Sequence, residues 1–322
     1  MNTTNFFINP QTNLLRSGWR ALLFMFVLML PKLLMFNSSQ SAAAQTSSSI
    51  EANLATIFVY AILIGWAVLV SWASLRFLDR LTLRSLGFSL HKGWWREIIL
   101  GFVIAALMIV AVVLLQMWSG GTRMKLNPEL TTNLFSVVKD VLMALALMIL
   151  AGAFEELIYR GYAFQTLLRG MSPVFPILLL SVYFGLGHWE NPNHTLFSTA
   201  NTVLAGIWLS ITYLKTRSLW FPTALHFGWN WTMGAMFGLP VSGLLIPQHP
   251  VVLSSIEEPL WMTGGSYGPE GGAAATVVLI ISIVVIWRAK WLGVSSEIQS
   301  LPASPMMADE ANIRLNLQDE KS

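Results

Sequence analysis

An all-α integral membrane protein of about eight transmembrane helices is the fold class this sequence predicts, with a polar site buried between helices four, five and seven. Three observations carry the prediction. Of 322 residues, 55% are hydrophobic and 11% charged, against roughly 25% charged in a soluble domain. The mean hydropathy of +0.61 is spread over several long apolar runs, so the whole chain and not a single anchor belongs in the bilayer. The few ionisable groups inside those runs are spaced one helical turn apart.

Taken in order, residues 1–18 read as a flexible N-terminal segment. Runs fit to cross about 30 Å of hydrocarbon then cover residues 19–36, 54–77, 98–118, 134–168, 174–188, 195–214, 219–238 and 273–292. Residues 19–133 form an N-terminal group of spans and loops, and residues 134–292 a catalytic membrane core that includes a long loop at 239–272. Residues 293–322 lack periodicity and read as a flexible tail. The fourth run is too long for one upright span, so it is expected to tilt or project from the membrane; the fifth is short. The loop at 239–272, punctuated by Pro and Gly, is expected to fold over the outer face.

Positive charge tests the count of spans. The segment 76–96 carries Arg76, Arg80, Arg84, Lys92 and Arg96, and Lys215, Arg217, Arg288 and Lys290 fall on the same side of an eight-span arrangement. Residues 37–53 and 239–272 hold no Lys or Arg. This puts both termini in the cytoplasm, with Arg123 and Lys125 as the exception. A signal-peptide reading of the first run, whose small-residue stretch follows at residue 38, is set aside because Lys32 beside Pro31 interrupts the apolar region. The cations lie in short loops, where they set topology, and give no nucleic-acid footprint. Cysteine is absent, which excludes disulfides and thiolate chemistry.

The chemistry sits in "AGAFEELIYRGYAF". A charge at mid-bilayer costs about 2.5–3.5 kcal/mol on insertion scales, so it marks function by default. Glu156 and Arg160 are four apart on one helix face, in the favoured order for a pair. Glu155 is turned about 100° away and is left free to face a cavity. Phe184 and His188 share a face in the fifth run, and His226 and Asn230 share one in the seventh. At about 1.5 Å per residue, Glu155 and His188 come out level, Asn230 nearly so and His226 roughly 10 Å shallower. Either Pro222 offsets the start of that run or its boundary is misplaced. An acid, two imidazoles and an amide among apolar helices supply the parts for hydrolysis. Glu155 takes a proton from water, His188 orients that water or holds an ion that activates it, and His226 with Asn230 donates to the oxyanion.

These residues resemble the CPBP family, the CAAX-processing and bacteriocin-processing intramembrane proteases also called Abi. The family's marks are E-E-x-x-x-R, here Glu155, Glu156 and Arg160; F-x-x-x-H, here Phe184 and His188; and H-x-x-x-N, here His226 and Asn230. All three occur in order between about residues 134 and 238, and "WMTGGSYGPEGG", residues 261–272, is similar to a Gly-rich segment of bacterial members. The resemblance implies a helical membrane endopeptidase that uses water without a covalent intermediate. Glu155 would be the general base, His188 its partner in positioning water, and His226 and Asn230 the oxyanion side. Substrates would be peptides or proteins, prenylated in the CAAX-processing members, in contact with membrane lipid.

The metal is left open between a divalent ion such as zinc, with Glu155, His188 and His226 as candidate ligands, and none. The family has been described both ways, and neither H-E-x-x-H nor a cysteine ligand is present. Phe184 reads as a wall of the site; His194, Glu190, His91 and His249 read as loop residues. Trp94, Trp95, Trp118, Trp189, Trp220 and Trp291 read as an aromatic belt, while Trp229 and Trp231 suit the site and the interface equally. The rival functions are a non-catalytic membrane scaffold or self-immunity protein that keeps the charge network for stability, and a proton-coupled transporter. Against the transporter stands the lack of a duplicated half.

Overall fold

The computed structural model describes residues 4–10, 12–35 and 50–301. Residues 36–49, which hold the small-residue stretch of the signal-peptide reading, and 302–322 of the polar tail lie outside the described residues. Helices occupy all eight apolar runs. They are α1 (Ser17–Met35), α2 (Ile50–Ala73, continued as a π turn over Ser74–Asp79), α3 (Trp94–Trp118), α4 (Leu134–Tyr159), α5 (Tyr162–Leu168), α6 (Val174–Gly187), α7 (Leu196–Thr216), α8 (Trp220–Trp231) and α9 (Ala273–Arg288). A two-stranded antiparallel ribbon pairs β1 (Thr122–Leu126) with β2 (Val252–Ile256), which fixes Arg123 and Lys125 against the long loop.

Among the described residues, three helical stretches, Leu54–Asp79, Trp94–Trp118 and Leu134–Leu168, are long and apolar enough to cross a membrane. The outward residues of α2 and α3, among them Phe58, Ile62, Leu69, Leu107 and Leu114, are large, apolar and exposed, as lipid-facing positions must be. Helices α7 and α8 are different because protein surrounds them. Helix α8 packs against α3, α4 and α7 and buries every residue from Phe221 to Trp229, while α7 buries Asn201, Thr202, Ser210 and Thr212. A helix screened from lipid can carry polar groups at little cost, so these two hold much of the polar chemistry.

The fourth run is two helices and not one tilted span. It breaks after Tyr159 at Arg160 and Gly161, where a Cβ on Gly161 would lie 2.1 Å from the Leu157 carbonyl. The carbonyl that the break frees at Arg160 accepts from Gln165 Nε2 at 3.1 Å, and the same amide nitrogen donates to Leu86 at 2.8 Å. Helices α6 and α7 approach closely at Gly206, where a Cβ would meet Ser181 Cα at 2.9 Å. Small residues at such a crossing let backbones touch in membrane proteins. One apolar core joins α3, α7, α8 and α9, and a second joins α1, α2 and α4 to α6; the polar site lies where α4, α6, α7 and α8 meet.

Near the chain ends, a short hairpin pairs Ile8–Asn9 with Leu14–Leu15. A helical turn spans Ser296–Gln299, whose Glu297 accepts from the Lys92 amide at 2.8 Å.

Two histidines read as loop residues carry more structure than that. His91 is buried, with Nε2 3.3 Å from Glu97 Oε1. His249 ties the long loop to α4, its Nδ1 2.7 Å from Asp140 Oδ2 and its Nε2 3.5 Å from Glu129 Oε2, with Lys139 on the other oxygen of Asp140. A hydrogen bond to a charged group is worth about 1.5–3 kcal/mol. Replacement His249→Ala should therefore speed amide exchange around residues 245–252 and leave α8 protected, and unchanged exchange in the loop would count against the tie.

Candidate active site

Four helices bring the polar groups together. Glu155 and Glu156 stand on the last full turn of α4, and Arg160 caps that helix at the break. His188 caps the C-terminus of α6, and His226 lies midway along α8. The break after Tyr159 matters here, because it ends the apolar helix where the arginine is needed and lets the chain turn away beneath it.

Arg160 and Glu156 are fully enclosed, their side chains 1% and 0% exposed. The guanidinium donates from Nη1 to Glu156 Oε1 at 3.0 Å and from Nη2 to the Gly206 carbonyl at 2.9 Å. It also lies over the Phe184 ring, 4.8 Å from its centroid, a desolvated cation–π contact. Phe184 is thus more than a wall: its ring stands edge-on to His188 as well, at 4.8 Å. Glu156 has a second partner that helical spacing did not reveal, since His226 Nδ1 lies 2.9 Å from the oxygen that takes Arg160.

The ring nitrogens can be assigned from their partners. His188 Nδ1 is 2.9 Å from the Phe184 carbonyl, which can only accept, so Nδ1 carries a proton, and Nε2 is an acceptor while the ring is neutral and a donor when it is charged. By the same reasoning His226 donates from Nδ1 to Glu156. Both free Nε2 atoms face Glu155, whose Oε2 lies 3.9 Å from His188 and 3.7 Å from His226. That oxygen has no hydrogen-bond partner among the described residues although it is buried. The gaps are too long for direct hydrogen bonds and suit a bridging water.

A cavity of about 40 Å³ opens beside the two imidazoles, lined among others by Phe184, His188, His226 and Asn230; the minimum for one water is roughly 10–15 Å³. Three of the sequence-derived residues, His188, His226 and Asn230, line this cavity; Glu155 is outside its lining and is brought to the two imidazoles alone. The expected shallowness of His226 is corrected. His226 Nε2 lies 3.7 Å from Glu155 Oε2 and so stands level with it; the start of α8 is tied to the loop before α3, Leu219 donating to the Gly87 carbonyl at 2.9 Å and Trp220 Nε1 to Ser89 at 3.0 Å.

Other wall residues escaped sequence reasoning. Asn201 and Thr202 of α7, with Ser242 and Glu270 of the long loop, also line the cavity. The Gly-rich segment was the only signal pointing to Glu270. Trp229 lines the cavity and donates to Glu270, whereas Trp231 donates to the Val141 carbonyl at 3.0 Å and holds α8 to α4.

The candidate metal ligands can be tested by geometry. A tetrahedral zinc with ligands at about 2.0–2.1 Å separates its donor atoms by about 3.4 Å. The 3.7 and 3.9 Å separations are wider, and no group of three His, Cys, Asp or Glu side chains among the described residues is arranged to hold an ion. Glu155, His188 and His226 do not fit a closed zinc site as they stand.

Residues 137–232 match the family model described as Type II CAAX prenyl endopeptidase Rce1-like, in agreement with the resemblance that the three motifs carry. No curated protein and no solved structure matches the chain.

Proposed function

We propose that this chain, whose residues 137–232 match the Rce1-like type II CAAX prenyl endopeptidase model, is an intramembrane endopeptidase in which Glu155 activates water. The observation that carries the reading is the unpartnered Glu155 oxygen within 3.9 Å of two imidazole nitrogens, where one water beside them can bridge acid and ring. A water held there donates one proton to Glu155 Oε2 and the other to His188 Nε2. As its oxygen attacks the scissile carbonyl carbon, Glu155 takes the proton. The oxygen of that carbonyl gains charge, which the Asn230 amide stabilises, helped by His226 Nε2 when that nitrogen is protonated. Glu155 then returns its proton to the departing amine, the C–N bond breaks, and the carboxylate is free again. No covalent enzyme intermediate is formed.

Within this scheme Glu156 and Arg160 keep the rings in place, Glu156 by accepting from His226 Nδ1 and Arg160 by neutralising Glu156. The substrate is a peptide or protein segment presented at the membrane, with a prenylated C-terminus as the class that the family's description suggests. Eight spans with both termini in the cytoplasm complete the proposal.

Peptidase profiling of the detergent-solubilised full chain tests it, with and without a chelator. Cleavage of internal or near-C-terminal bonds that survives chelation supports water activation by Glu155 alone; cleavage that chelation removes and zinc restores would replace that mechanism with a metal-dependent one. No cleavage across lipidated and plain libraries would favour the scaffold.

A further inference from the structure

Glu270, in the Gly-rich segment of the long loop, reaches the cavity that His188, His226 and Asn230 line. Its Oε1 accepts from Trp229 Nε1 at 3.1 Å. Its Oε2 accepts from both the amide and the hydroxyl of Ser242, each at 2.7 Å. Its backbone carbonyl accepts from Asn201 Nδ2 at 2.9 Å, and the Asn201 oxygen in turn accepts from Thr276. Glu270 thus joins α8, the start of the loop and α7 directly, and α9 through Asn201. Donors at these distances from a carboxylate make charge-assisted hydrogen bonds, roughly twice as strong as neutral ones.

The backbone around it is built for this approach. Gly268 has φ +95°, and a Cβ there would lie 2.1 Å from the Pro240 carbonyl. The Gly243 amide donates to the Tyr267 carbonyl at 2.8 Å. The Tyr267 phenol is held above its ordinary pKa, first by burial and then by the Glu270 carboxylate, so it remains a neutral partner.

Trp229 directly precedes Asn230 and follows His226 by three residues, so fixing its indole fixes the rotation of the helical turn that carries both. We propose that Glu270 is a positioning residue of the hydrolytic site: through Trp229 and Ser242 it sets the face that α8 turns to the substrate and holds the loop over the cavity. The proposal rests on the reading of Glu155, His188, His226 and Asn230 as a hydrolytic set, and it extends the site to a residue far along the chain from that set.

The test uses the full-length protein in detergent and a peptide that the parent cleaves, comparing Glu270→Gln, Glu270→Asp, Trp229→Phe and the double variant Glu270→Gln with Trp229→Phe. Misplacement of reacting groups by about 1 Å can cost on the order of 100-fold in rate, so kcat should fall about 10- to 100-fold in Glu270→Gln while KM changes only a few-fold. Glu270→Asp should recover part of that loss, and the double variant should be no slower than the slower single one. Amide exchange should rise together around residues 226–231 and 240–243. Parent-like kcat in Glu270→Gln, losses that multiply in the double variant, or faster exchange confined to the loop would each overturn the role of Glu270 while leaving Glu155 untouched. A parent that cleaves nothing, or a Glu155→Gln variant as active as the parent, would overturn both readings.

Discussion

Glu155→Gln should reduce peptide cleavage by about 10²- to 10⁴-fold, the contribution of a positioned general base, with the folded state unchanged. Glutamine is isosteric and keeps an oxygen, but its amide cannot take a proton from water. The fold tolerates the exchange because Glu155 is the less enclosed of the two acids, its side chain 26% exposed against 0% for Glu156. Its Oε2 also has no hydrogen bond among the described residues for the substitution to break. Measured on purified protein, kcat should fall while the melting transition remains cooperative and close to the parent's, since the amide keeps the size of the side chain and replaces no hydrogen bond of Oε2 among the described residues. His188→Ala should lower kcat alongside it, and the double variant should lose little more than Glu155→Gln alone, because residues that act as a unit are not additive. A Glu155→Gln variant with parent-like kcat would remove the general base and with it the hydrolytic scheme.

The sequence carried this constellation because its members obey local rules. Glu156 and Arg160 are one turn apart, and a charge pair inside an apolar helix has few meanings. His188 and His226 stand out as the histidines within or at the ends of apolar runs. What lay beyond reach was tertiary. Glycine is tolerated within apolar membrane helices, so Gly161 did not announce the break; it becomes visible only through the Leu157 carbonyl that a side chain would strike. The meeting of His226 with Glu155 and Glu156 is a packing of α8 on α4, which no count along α8 contains. Glu156 serving His226 as well as Arg160 is a contact across 70 positions of sequence, and Glu270 reaching Trp229 crosses 41. Loop acids of that kind read as solvated until the fold encloses them.

The same distinction between local and tertiary pairing makes Arg160 the position whose loss the fold should feel most. Arg160→Ala leaves Glu156 fully enclosed with His226 as its remaining partner, and leaves the Gly206 carbonyl without the Arg160 donor. Breaking a buried pair from one side costs about 3–5 kcal/mol, so this variant should unfold at markedly lower temperature or fail to accumulate in the membrane. Arg160→Lys keeps the charge but loses the planar fork that reaches Glu156 and Gly206 together while stacking on Phe184, and should fall between alanine and the parent. The informative variant is Arg160→Met combined with Glu156→Leu. Replacing both members of a buried ion pair by apolar residues of similar volume is often neutral or stabilising, so the melting temperature should recover most of what Arg160→Ala loses, short of the parent by the Gly206 carbonyl and the His226 Nδ1 left without partners. Activity should not recover, because His226 loses the acceptor that holds its Nδ1 proton and the ring can turn its Nε2 away from the reacting oxygen. Recovery of both stability and kcat in the double variant would mean that the pair serves only packing; recovery of stability alone would show that Glu156 governs the ring that the chemistry uses.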